Sequence, residues 1–162
     1  MDKEILKEEI EIELKNLERL AREMQELTNR FVNKPDFIET RAAGSILHDF
    51  YCGVEKIFER IAVHIDSKLP KGEDWHTDLL LQIAHPIKGV RDAVVSTDLL
   101  EKFKEYLRFR HLFRHIYGFE LRWERFKDLS LSLFTILSEF KNNLERFYSI
   151  LKLRGDEEKE HR

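Results

Sequence analysis

At 162 residues, with 42% hydrophobic and 36% charged side chains, the chain has the size and composition of one folded domain with its own core, which excludes a disordered polypeptide. A formal net charge of -3 excludes a protein that coats nucleic acid by overall basicity, so any polyanion site has to be a local patch. The single cysteine, Cys52, excludes an intrachain disulfide and a cysteine-cluster zinc site. Its neighbours Phe50, Tyr51 and Val54 mark it as a buried, inert thiol.

The N-terminal stretch MDKEILKEEIEIEL is charged throughout and unlike a signal peptide, and no apolar run approaches membrane-spanning length, so a cytoplasmic protein is expected. From Asp2 to Phe31 the apolar positions Leu14, Leu17, Leu20, Met24, Leu27 and Phe31 step by three and four, the stripe of a long amphipathic helix. Asp2, Glu4, Glu8 and Glu9 suit the positive end of its dipole. A coiled-coil dimer segment is the alternative, although the heptad is loose. Pro35 ends this helix, and Asp36 with Glu39 forms a capping box for the next.

A second helix is expected to run to about Ile65 on the stripe Ala43, Leu47, Phe50, Val54, Ile57 and Ile61. Inside it, Ala42 to Ser45 are small enough for another helix, or a second copy of the chain, to approach closely. His48, Asp49 and Glu55 lie off the stripe, and a surface role is expected for His48. The stretch DSKLPKGEDW is a loop, after which Asp74 or Thr77 caps a short third helix ending before Pro86. Trp75 and His76 are expected to fold back over the other helices, with base stacking by Trp75 as the sharper alternative. Thr97, Asp98 and Glu101 start a fourth helix that buries Leu100, Phe103, Leu107 and Phe113 and that Gly118 breaks. The last helix carries Leu133, Ile136, Phe140, Leu144, Phe147 and Leu151. With no strand pattern and no repeat, the expected fold is all-α, an up-and-down bundle of about four to five helices. Residues 1–154 form its single domain and 155–162 a polar, frayed tail.

The chemistry concentrates in EYLRFRHLFRHIY, Glu105 to Tyr117, where Arg108, Arg110, Arg114, His111 and His115 crowd together. An imidazole moves a proton near neutral pH, and a guanidinium offers a planar fork of donors to a phosphate. These are the tools of phosphodiester chemistry without a metal. On a regular helix, residues five apart lie about 140° from each other. Arg110 and His115 therefore meet only if the helix loosens before Gly118 or if the pocket forms across a two-fold axis. His111 and His115, at i and i+4, have the spacing of zinc ligands, but the neighbouring arginines repel a dication and no third ligand is evident, so no metal and no cofactor are expected.

Residues 110 to 117 follow the pattern Arg-x-x-x-x-His-x-Tyr, flanked by EYLRFRHLFRHIYGFELRW and, earlier, by ETRAAGSILHDFYCGVEKIFERIA. In these blocks, from about Glu39 to about Lys127, the chain resembles HEPN-domain ribonuclease toxins of the HepT type. The resemblance implies metal-independent RNA cleavage. Arg110 would stabilise the transition-state phosphate, and His115 would act as base on the ribose 2′-hydroxyl or as acid on the leaving oxygen. Arg108, Arg114 and His111 would hold RNA. One departure is His111, where many relatives carry Asn or Asp. The resemblance also implies a homodimer with facing Arg–His pairs and a minimal nucleotidyltransferase antitoxin that attaches AMP to Tyr117. The alternative of another class is a non-catalytic helical module partnering a nucleotidyltransferase.

Overall fold

A computed structural model describes residues 3–162; Asp2, expected in the first turn, lies outside the described residues. The described chain is all-helical, with six α-helices where four to five were expected. They are α1 (Lys3–Asn29), α2 (Phe37–Ile61), α3 (Trp75–Ala84), α4 (Thr97–His115), α5 (Trp123–Leu131) and α6 (Leu133–Glu160). The extra element comes from the C-terminal third. Ser132, at ψ 0°, interrupts the run and lets α5 turn Phe126 onto α4 while α6 points Leu133, Ile136 and Phe140 into the core. Beyond Gly155, where a frayed tail was expected, α6 stays helical to Glu160. Among the described residues no helix is long and apolar enough to cross a membrane.

The α1 stripe buries Leu6, Ile10, Leu14, Leu17, Ala21 and Met24 against α2 and α6 within the chain. The two helices come very close at Gly53, where an added Cβ would sit 2.5 Å from Leu17 Cδ2. The capping box at the start of α2 forms as expected: the Glu39 N–H donates to Asp36 Oδ1 at 2.8 Å, and the Asp36 N–H donates to Glu39 Oε1 at 3.1 Å. The small residues within α2 are used inside the chain. A Cβ on Gly44 would meet Leu121 Cδ1 at 2.9 Å and Phe113 Cε2 at 3.3 Å. Cys52 is half-buried, with its sulfur 3.8 Å from His48 Nε2, so it is less enclosed than its neighbours suggested.

α2 ends in a π-helical turn, Ala62–Asp66, closed by Ser67 in the left-handed region at φ 54°. That turn delivers Asp66 to Arg91, 25 residues on. Arg91 Nε donates to Asp66 Oδ1 at 2.6 Å and Nη2 to Oδ2 at 2.8 Å, with both side chains fully buried. The guanidinium also donates to the carbonyls of His85, Asp92 and Gln82, which fixes the connector between α3 and α4.

Candidate active site

α4 is pinned at its N-terminus and again midway along its length. Its cap is Ser96, one residue earlier than Thr97: the Leu99 N–H donates to Ser96 Oγ at 3.1 Å, and the Ser96 N–H donates to Asn143 Oδ1 on α6 at 2.7 Å. Leu99, Phe103, Tyr106 and Phe109 form the buried stripe, and the Tyr106 hydroxyl donates to the Leu129 carbonyl at 2.7 Å. Leu107 and Phe113, expected in the core, are only partly buried. With Phe109 on the core face, the helical period turns Arg110 toward α2 and aims Arg108 and His111 along the flank that faces α3.

A groove of about 830 Å³ runs along that flank, lined by His76 and Leu80 from α3 and by Leu107, Arg108, Arg110 and His111 from α4. Its rim carries both signs of charge, with Glu73 and Asp74 before α3 and Lys104 on α4. The structure thus brings three of the sequence-derived candidates, Arg108, Arg110 and His111, to one groove. His115, Arg114 and Tyr117 are not part of its lining. α4 remains helical through His115, so the helix does not loosen to swing His115 toward Arg110 within one chain.

The feature that sequence reasoning missed is Glu55. Its side chain is 5% exposed, and its carboxylate is shared: Arg110 Nε lies 3.2 Å from Oε1, and His76 Nδ1 lies 2.6 Å from Oε2. The Arg110 contact is a charge contact without the alignment of a hydrogen bond, because buried Arg110 Nε has no hydrogen-bond partner in the protein. Burial pushes the Glu55 carboxyl above the usual carboxylate range, while the hydrogen bond from His76 and the charge of Arg110 pull it back. A signal was there to be found. Tyr51, Val54, Glu55 and Phe58 follow an i, i+3, i+4, i+7 pattern, which puts a carboxylate among buried apolar residues.

Other groups feel the same cluster. The Tyr51 hydroxyl is buried without a partner, and burial first, then Glu55, holds its phenol well above the ordinary value. His48 is half-buried against the Phe113 ring, 4.9 Å between centroids, rather than on the surface. Burial lowers its pKa most, and Arg110 and Arg114 lower it further against the opposing effect of Asp49. Both arginines therefore place positive potential on the α2 side of α4.

At the end of α4, His115 Nδ1 lies 2.6 Å from the His111 carbonyl oxygen, which can only accept. Nδ1 therefore carries the proton, and in the neutral ring Nε2 keeps its lone pair free. The two imidazoles lie side by side, 4.2 Å between centroids, so His115 adjoins the residue that closes the groove. Extended Ile116, not Gly118, ends the helix. The tight spot at Gly118 is against Arg41, whose Nε a Cβ would approach to 2.8 Å. Tyr117 stands 70% exposed with its ring stacked 5.2 Å from Phe119. Its N–H donates to Glu120 Oε1 and its carbonyl accepts from the Glu120 N–H, which fixes the backbone beneath an accessible ring.

Residues 42–151 match the family described as HepT-like protein. The chain belongs to the HepT-like family. Membership implies a HEPN-type toxin and, at the level of the family, ribonuclease chemistry. No curated protein and no solved structure matches the chain. The matched span of this HepT-like protein takes in Glu55, His76 and the whole of α4, so the groove lies inside it.

Proposed function

We propose that this HepT-like protein is a metal-independent endoribonuclease toxin, silenced when a nucleotidyltransferase antitoxin transfers AMP to Tyr117. The observation that carries the reading is the hydrogen bond from His115 Nδ1 to the His111 carbonyl, which presents a free Nε2 one helical turn beyond an arginine-lined groove. Such a nitrogen can take the proton of a ribose 2′-hydroxyl. Arg110 then faces the phosphate as it gains charge, a role worth roughly 2.7–4 kcal/mol of barrier for a preorganised donor. Arg108 and Arg114 hold the flanking backbone, and His111 borders the phosphate. Because the nucleophile belongs to the RNA, the products are a 2′,3′-cyclic phosphate and a 5′-hydroxyl, and DNA resists.

Arg110 and His115 face different ways on a regular α4, so two chains pairing about a two-fold axis would supply a cleft with both groups. A clean, fully active monomer in sedimentation at micromolar concentration overturns that arrangement. Exposure of the Tyr117 ring supports the modification: AMP there adds a negative phosphate beside the arginines and a bulky nucleoside at the end of the groove. The alternative, a non-catalytic helical partner of a nucleotidyltransferase, draws on the exposed aromatics Phe37, Tyr117 and Phe119 as a docking surface. The products separate the two readings. Cyclic-phosphate ends formed by the wild type and lost in His115→Ala mark the enzyme, and no ends from either protein mark the module.

A further inference from the structure

Cleavage through an internal 2′-hydroxyl needs two proton transfers, one away from the nucleophile and one to the leaving 5′-oxygen. His115, with its Nδ1 proton tied to a carbonyl, is arranged to accept. The neighbouring imidazole there, His111, is not held by a carboxylate among the described residues. Across the groove, His76 is. Its Nδ1 faces Glu55 Oε2 at 2.6 Å, the carboxylate is buried, and Trp75 packs on the imidazole with centroids 3.5 Å apart. A carboxylate that takes the Nδ1–H fixes the imidazole's orientation, so that in the imidazolium form the opposite nitrogen, Nε2, carries the transferable proton. The same carboxylate lies 3.2 Å from Arg110 Nε, so one buried group holds both a guanidinium and an imidazole at one groove.

We propose that His76 is the general acid of the site and that Glu55 positions it together with Arg110. The proposal rests on the ribonuclease reading and adds to it a catalytic group from α3, outside the arginine–histidine motif. In the cleft formed by two paired chains, the 2′-oxygen forms its bond to phosphorus as its proton passes to Nε2 of the second chain's His115. The phosphorus–O5′ bond breaks, and the departing oxygen takes the Nε2 proton of His76. Neutral His76 and protonated His115 exchange their protons with water, which restores the starting state with no net gain or loss.

A leaving group that needs no proton makes the test. Cleavage of an ordinary RNA dinucleotide linkage is compared with cleavage of the same linkage carrying sulfur in place of the 5′-oxygen, because a thiolate departs unprotonated. For His76→Ala, and for His76→Gln, whose amide can still donate to Glu55, kcat on the ordinary linkage should fall by about 100-fold or more, with KM within about twofold. Cleavage of the sulfur-substituted linkage should remain near the wild-type rate. Glu55→Gln should show the same selective loss, and a higher KM as well, since it releases Arg110. Equal losses on both linkages, or a His76→Gln variant as active as wild type on ordinary RNA, overturn the assignment and leave His76 a structural partner of Glu55. A wild-type protein that cleaves neither linkage overturns the ribonuclease reading itself, and this inference with it.

Discussion

Two arginines of this protein are buried against carboxylates on or just after α2, and they are used in opposite ways. Arg91 and Asp66 are fully enclosed, and all three guanidinium nitrogens donate, to the carboxylate and to three carbonyls. Arg110 and Glu55 are nearly as buried, yet Arg110 Nε lacks an aligned acceptor, Glu55 is shared with His76, and both arginine and histidine line a groove. The first pair has no unused capacity, and its work is to hold the connector between α3 and α4. The second leaves part of its capacity unused beside the groove. Burial of an ion pair therefore says little about its role; the completeness of its hydrogen bonds says more.

Breaking the closed pair should have the largest effect on stability. Asp66→Ala strands a buried guanidinium, and a loss of about 3–5 kcal/mol is expected in urea unfolding followed by circular dichroism. In contrast, Arg110→Ala leaves Glu55 with His76 as a partner, so its stability loss should be about 1 kcal/mol. A cost for Arg110→Ala as large as that for Asp66→Ala would erase the distinction between the two sites.

Acid and base sharpen the comparison further. Burial holds the Glu55 carboxyl above the usual range, so on raising the pH the unfolded chain releases this proton before the folded one does. Its contribution to stability is therefore fully present below the ordinary carboxylate value and is lost as pH rises through the folded value. Over the pH range that starts near the ordinary carboxylate value of about 4.3 and rises through the folded one, wild type should lose stability relative to Glu55→Gln. A flat difference in urea midpoints across that range would contradict the described environment of Glu55. The smallest effect on stability belongs to Tyr117→Phe, expected within about 0.5 kcal/mol because the ring is exposed. When the variant is co-expressed with a nucleotidyltransferase partner, intact mass spectrometry should find no added AMP, whereas wild type should gain one unit or more. Unmodified wild type in a fully inhibited complex would mean inhibition by masking alone.

Local pattern carried much of this into the sequence. The α1 stripe, the Asp36–Glu39 box and the termination of α3 before Pro86 are decided by residues within one or two turns of each other. The motif helix was legible for the same reason, whereas the meeting of Arg108, Arg110 and His111 along one groove depends on α3 packing beside them. What stayed hidden is pairing between distant segments. Arg91 meets Asp66 only because a π turn ends α2, and nothing in the local spacing announces that turn. Glu55 was set aside as a charge off the apolar stripe, although Tyr51 and Phe58 place it squarely between buried rings. Its partners lie 21 and 55 residues away, on two other helices. The break at Ser132, and with it the sixth helix, likewise follows from where α5 and α6 must pack rather than from any proline or glycine.

The claim that Arg110 is the open arginine of a metal-independent ribonuclease meets its most direct test in RNA cleavage under excess EDTA, with wild type and Arg110→Ala measured side by side. Wild type should cleave in the chelator, and Arg110→Ala should be slower by about 100-fold or more while its helical circular dichroism is unchanged. Cleavage that appears only when a metal is added, or an Arg110→Ala protein that cuts at the wild-type rate, would contradict the account.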